Sequence, residues 1–328
     1  MTCNLDHTED QRQILNAVDA LLASSFPVGR LRERGQDDLS EIAAFGAYAL
    51  ALPEETGGSG FTLVEEALMH TLFGRALVST NALAAALAVR VATGADLVGS
   101  ITSGAKTVCC AIADRDRIML LDGAGATLAL VFDGASMRLC DLVATTPRPV
   151  DGLGHSLAIA ILDAPREIAS STDALAGATA DILISAHLLG AAEATRDLAV
   201  EYAQVRRQFG KPIGAFQAIK HHCATMAVGA EMLSAQLDMA AISVRDRRSD
   251  ATFQAAALRR LARRVAQDNA RTAIQIHGGI GFSAEADVHH YVKRVHLLHR
   301  LGVASDLGTL PAPLPPHRPL SEAARANP

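Results

Sequence analysis

The sequence predicts a mainly α-helical protein with a small antiparallel β domain set between an N-terminal helical domain and a C-terminal four-helix bundle. Three observations carry this. Residues 1–100 repeat apolar side chains at helical spacing. Residues 101–167 break instead into short apolar runs, punctuated by Gly, Asp and Ser at intervals of roughly ten residues or more. From 168 to 310 the helical period returns in long stretches with short connections, and a proline-rich segment over 311–328, expected to be disordered, follows.

Taken in order, Glu9 to Leu22 places Ile14, Val18 and Leu21 on one helical face. Asp38 to Leu50 repeats the pattern with Leu39, Ile42, Phe45 and Leu50. The segment Leu52-Pro53-Glu54-Glu55-Thr56-Gly57-Gly58-Ser59-Gly60 is too glycine-rich for helix or strand and reads as a turn. Helices follow from about Thr62 to Leu77 and from about Asn81. Strands are predicted over Thr107–Ala113, Arg117–Leu121, Thr127–Asp133, Met137–Leu142 and Ser156–Leu162. A long helix runs from about Asp173 to Phe209, where Gly210 and then Pro212 stop it. In the next, Phe216, Ile219, Cys223, Met226, Ala230, Leu233, Leu237, Ala240 and Val244 alternate at spacings of three and four, the seam of a bundle helix. A third helix from about Ala251 ends at Gly278-Gly279, and a fourth spans about Glu285 to Arg300.

Composition narrows the function. The 328 residues carry 30 basic and 35 acidic side chains, a net charge of −5 with no clustered basic face, which speaks against a nucleic-acid partner. No run of about 18 apolar residues and no secretory signal is evident, so the expectation is a cytoplasmic protein without a membrane span. Five cysteines without metal-like spacing read as reduced thiols. Adjacent His221-His222 and His289-His290 point about 100° apart on a helix and cannot readily share an ion, so no metal site is expected. Neither a phosphate-binding P-loop nor a Rossmann glycine fingerprint occurs.

Two stretches carry chemistry: Arg206-Arg207-Gln208-Phe209-Gly210, followed by Ala215-Phe216-Gln217-Ala218, and Gln275-Ile276-His277-Gly278-Gly279-Ile280-Gly281-Phe282, followed by Glu285. Each is a helix end running into glycine, where unpaired backbone groups and bare backbone meet. With the 52–60 turn, they resemble three signature elements of the acyl-CoA dehydrogenase family, whose domain order matches the one read above. The resemblance implies the acyl-CoA dehydrogenase fold, FAD as cofactor, and α,β-dehydrogenation of an acyl-CoA to a 2-enoyl-CoA. In that family the two C-terminal elements reach across a subunit interface to FAD held mainly by the neighbour. By resemblance, Arg206 would pair with the pyrophosphate, a task suited to a permanently charged, forked guanidinium. Gln208 and Phe209 would flank the flavin or its phosphates. Gln217 and Gln275 would hydrogen-bond the adenosine or pyrophosphate end, and Gly278 and Gly279 would offer backbone N–H groups to phosphate.

Other family features are missing. The family's commonest catalytic base, a Glu, falls here on Gly302. A minority position on the first bundle helix falls on Ala180, whose neighbour Asp181 is a candidate base, although as an early residue of that helix it is also expected to face water. No N-G-x-K-x-(W/Y)-I-(T/S)-N or T-E-P-x-(A/G)-S-D stretch is found to wall the flavin ring. The chain thus resembles the short subunits of bacterial heteromeric acyl-CoA dehydrogenases of steroid degradation. That implies a longer homologous partner in an α2β2 assembly, a partner-borne base, a steroid-derived CoA ester and an electron-transfer flavoprotein as acceptor. A self-sufficient homodimer using Asp181, a silent scaffold subunit and a flavin monooxygenase on the same fold stay open.

Overall fold

The computed structural model describes residues 8–302 apart from 34–36, 116, 135, 151–158 and 164; the 311–328 segment lies outside the described residues. Side-chain caps set where the first long helices begin. Thr8 caps α1 (Glu9–Ser25), with Gln11 returning a bond to the Thr8 amide. Short α2 spans Ser40–Ala44, and Thr62 caps α3 (Leu63–Arg75) with Glu65 in the reciprocal role. Each box satisfies amides that a helix start leaves unpaired. The helix expected over 38–50 is broken, because Gly46 takes φ +81° and the chain restarts as a 3₁₀ turn over Ala47–Ala49. α4 (Thr80–Ala88) and α5 (Ala95–Thr102) complete the N-terminal layer.

The β layer holds β1 (Val108–Asp114), β2 (Arg117–Leu121), β3 (Leu128–Phe132), β4 (Met137–Asp141), β5 (Arg148–Val150), β6 (Ile159–Asp163) and β7 (Arg166–Ser171), in the order β5-β6-β2-β1-β3-β4-β7. The sheet is mixed, not purely antiparallel as expected. β2 returns antiparallel on one side of β1, and the chain then enters β3 parallel to β1 on the other side. β3 and the paired stretch of β1, Val108–Ile112, are apolar and covered on both faces, the environment that parallel pairing requires. Alternate residues serve different cores. Val108, Cys110, Ile112, Leu128, Leu130 and Phe132 join the main core with the helices, while Cys109, Ala111, Ala129 and Val131 form a second core on the far face. β5 and β7 were not expected. They are polar edge strands, and Pro149 in β5 fits an edge because it cannot donate to a ladder.

The bundle consists of α6 (Ala174–Val205), α7 (Gln217–Arg245), α8 (Ala251–His277) and α9 (Val288–Leu298). α6 packs on α8, α7, α9 and also on α3. It is long and apolar enough to cross a membrane by composition, yet 83% of its most apolar window is buried inside the molecule. The α3–α6 crossing is tight because both helices present glycine there. A Cβ on Gly190 would overlap the Thr71 carbonyl, and one on Gly74 would overlap the backbone of His187. The C-terminal end of α3 is secured from afar: Tyr291 Oη donates to the Arg75 carbonyl (2.6 Å), Arg30 to those of Ala76 and Leu77 (3.0 Å each), and Arg294 to that of Val78 (2.6 Å). These bonds pair carbonyls that no further turn of helix can reach.

Beside the crossing, His70 Nδ1 and His187 Nε2 lie 2.9 Å apart, both side chains buried. Burial holds both imidazoles neutral, pushing His70 down to about 3 and His187 well below its ordinary value. In the unfolded chain the same histidines protonate near 6.5. Below that pH the unfolded state binds more protons, so stability is present above about pH 6.5 and lost as pH falls toward 3. The expected result is a urea midpoint that drops between pH 7.5 and pH 5.5, with up to ~1.4 kcal/mol per pH unit for each histidine. A His70→Leu/His187→Leu variant should flatten that dependence; an unchanged slope would assign it to other groups.

Candidate functional site at one end of the bundle

α6 ends at Val205, four residues short of the expected Phe209. Arg206 is already extended (φ −70°, ψ 125°), and its amide closes the last turn on the Tyr202 carbonyl. The reason is a small hairpin of β8 (Arg207–Gln208) and β9 (Lys211–Pro212). Its two turn residues, Phe209 and Gly210, both have positive φ, +50° and +79°. That geometry matches the twist of a two-residue hairpin, but it is strained for phenylalanine. Phe209 is nevertheless 91% exposed, and its ring stands edge-on to Phe216 at 6.2 Å. Phe216 in turn carries the Lys211 ammonium 4.4 Å from its ring centre and precedes the first residue of α7, Gln217.

The second element is the end of α8. Gly278 takes φ 62°, ψ −140°, and a 3₁₀ turn covers Gly278–Phe282. The two elements meet where the Tyr202 and His277 rings stack, 4.4 Å apart at 19°. Ala199, Ala203, Ile213, Met226, Ala273, Ile276 and Val288 form a separate small core beneath them. This core gathers the ends of α6, α7, α8 and α9 to one side of the molecule.

Every residue expected to contact a cofactor lies on this surface. Arg206, Gln208, Phe209, Gln217, Gln275, Gly278 and Gly279 are all exposed. Among the described residues, no hydrogen-bond partner occurs for the Arg206 guanidinium or the carboxamides of Gln208, Gln217 and Gln275. A Cβ built on Gly278 or Gly279 meets nothing within 4 Å, so the surface beside the pair is open. The Gly278 amide, expected to face phosphate, instead closes the end of α8 on the Ile274 and Gln275 carbonyls, as the last turn of a helix requires. Around these polar groups stand exposed apolar ones: Val205 at 74% and Phe282 at 80% as well as Phe209. Large apolar side chains clustered at such exposure mark a surface that another chain or ligand covers.

Asp181 is elsewhere. It lies in the third turn of α6, 2% exposed, and not facing water as expected. It is paired with Arg259 of α8, itself 5% exposed, whose other nitrogen donates to the Leu301 carbonyl. Gly302 follows at φ +105°, and a Cβ on it would overlap the Arg259 guanidinium. The position on which the family's usual base falls by resemblance is therefore glycine, as read from the sequence, and its side-chain space is filled by arginine from a neighbouring helix. Arg259 escaped the sequence reading, although a signal existed: it shares a helical face with buried Ala255, Ala262 and Ala266, where a solvated arginine does not belong.

The chain matches the acyl-CoA dehydrogenase N-terminal domain model over residues 8–100 and the C-terminal domain model over 180–302. It is 34% identical over 304 residues to acyl-CoA dehydrogenase IpdE2 of Mycobacterium tuberculosis, covering 88% of this chain and 91% of that one. It is 32% identical over 275 residues to acyl-CoA dehydrogenase FadE34 of the same organism, but spans only 38% of that longer protein and 78% of itself. Among solved structures, the Tcur3481-Tcur3483 steroid ACAD superposes with a TM-score of 0.75 at 21% identity, over 90% of this chain and 94% of that one. The ChsE4-ChsE5 complex from M. tuberculosis gives 0.73 at 21% identity, over 90% and 94%. The chain belongs to the acyl-CoA dehydrogenase family, an oxidoreductase family whose cofactor is FAD. The donor set at the bundle end fits that cofactor. A guanidinium and three carboxamides without partners among the described residues, beside an open glycine pair, suit a dinucleotide's pyrophosphate and adenosine.

Proposed function

We propose that this chain is the short subunit of a heteromeric FAD-dependent acyl-CoA dehydrogenase and completes a cofactor site on a longer homologous subunit. One observation carries the reading. The chain's free donors face outward at one end of the bundle, whereas its own base position is closed by Arg259 and Gly302. Arg206 would hold the pyrophosphate, with Gln208 and Phe209 beside it. Gln217 and Gln275 would hold the adenosine or pyrophosphate end, and the Gly279 amide a phosphate, with Gly278 leaving the backbone bare for its approach. The chemistry FAD supplies when bound is hydride acceptance in α,β-dehydrogenation. The exposed Val205, Phe209 and Phe282 would be covered by the partner, keeping water from the site. The base would come from the partner, because Asp181 is already committed to a guanidinium. Likeness to the Tcur3481-Tcur3483 steroid ACAD and the ChsE4-ChsE5 complex supports a two-chain assembly and a steroid-derived CoA ester as substrate. An electron-transfer flavoprotein would be the acceptor and the cytoplasm the compartment, where the free thiols Cys109, Cys110, Cys140 and Cys223 would stay reduced.

The test is co-expression with the longer homologue. The chain alone should purify without flavin, and the complex should carry FAD and bleach on addition of acyl-CoA. Full flavin content and substrate bleaching in the isolated chain would establish the self-sufficient homodimer instead.

A further inference from the structure

Within the second cofactor element, where it meets the first, stands a side chain with no contact yet assigned to it. His277 is the last residue of α8, one position before the glycine pair. Its Nδ1 lies 2.8 Å from the Ala273 carbonyl, which can only accept, so Nδ1 carries a proton, and in the neutral tautomer this selects the lone pair falls on Nε2. The ring lies flat against Tyr202, 4.4 Å away at 19°. Behind it, the turn over Gly278–Phe282 folds close enough that a Cβ on Gly281 would sit 3.0 Å from the His277 Cβ. The imidazole is thus fixed in tautomer and in orientation, and among the described residues Nε2 has no partner. Fixing a ring in this way lowers the ordering cost of whatever it binds.

We infer that His277 Nε2 accepts a hydrogen bond from a sugar hydroxyl of the FAD, the ribose or the ribityl chain, an inference that rests on the cofactor reading above. The chemistry selects the hydroxyl. A phosphate at neutral pH offers no proton to a lone pair. The sugars flanking a bound pyrophosphate on either side carry free hydroxyls, which need an acceptor. Tyr202 acts as a positioning residue by holding the ring plane.

The experiment uses the full chain assembled with its partner, stripped of flavin and titrated with FAD, FMN and ADP. His277→Phe keeps an aromatic face on Tyr202 and removes Nε2. The expected result is a dissociation constant for FAD raised about tenfold, the worth of one hydrogen bond of about 1.4 kcal/mol. A matching rise for one fragment only is also expected: ADP if the ribose is read, FMN if the ribityl chain is. Unchanged FAD affinity would overturn the inference, as would equal weakening of both fragments, which marks a distorted surface. Arg206→Ala serves as the control. If it weakens FAD while His277→Phe does not, the inference alone fails; if neither weakens FAD, the cofactor reading fails with it.

Discussion

Replacing Asp181 with alanine is expected to lower the free energy of unfolding by about 3–5 kcal/mol, because it leaves the Arg259 guanidinium buried without its counter-charge. The pair spans α6 and α8, the most extensive packing in the bundle, and both side chains are almost wholly inaccessible. Urea unfolding of the purified chain measures the effect. The double variant Asp181→Leu/Arg259→Leu should recover much of the loss, since two apolar side chains of similar volume need no partner in that place. Recovery would not be complete, because the Leu301 carbonyl also loses its donor. The same variants separate the two readings of Asp181. A base would cost turnover with little change in stability; a structural ion pair costs stability first. Full stability in the single variant, with activity abolished, would restore Asp181 as the base of a self-sufficient enzyme.

Replacing Arg206 with alanine in the assembled complex is expected to weaken FAD binding by about 10–100-fold. That is the range for one charge-assisted hydrogen bond of ~1.5–3 kcal/mol to phosphate. The guanidinium is free and exposed, so the substitution should not change the chain's own unfolding. Arg206→Lys should recover only part of the affinity, because a single ammonium cannot reproduce the forked geometry. Flavin content after gel filtration and the dissociation constant from flavin fluorescence report both. Normal FAD affinity in the alanine variant would favour a scaffold that stabilises its partner without touching the cofactor.

Much of this architecture is legible along the chain because its signals are local. The spacing of Met226, Ala230, Leu233, Leu237 and Ala240 marks the buried face of α7 without reference to any other helix, and all five are buried. The Arg206 and Gln275 elements are contiguous, so their residue types survive as readable strings. Where local signals compete, boundaries move. Gly46 overrides the apolar period that would carry a helix through to Leu50, and the Phe209-Gly210 turn overrides a helical pattern that runs past Val205. Strands β5 and β7 left no apolar alternation to read, because an edge strand in water has no need of one.

By itself the sequence determined the helix faces, the central β layer, the family elements and the missing carboxylate at Gly302, since each depends on residues close together in the chain. Only the tertiary structure decided the sheet's mixed topology, the burial of Asp181, its pairing with Arg259 from 78 positions away, and the stacking of Tyr202 on His277. Those outcomes depend on which helices come into contact and how closely. A side chain's charge is written in the sequence, but whether water or another side chain answers that charge is settled only when the chain closes around it.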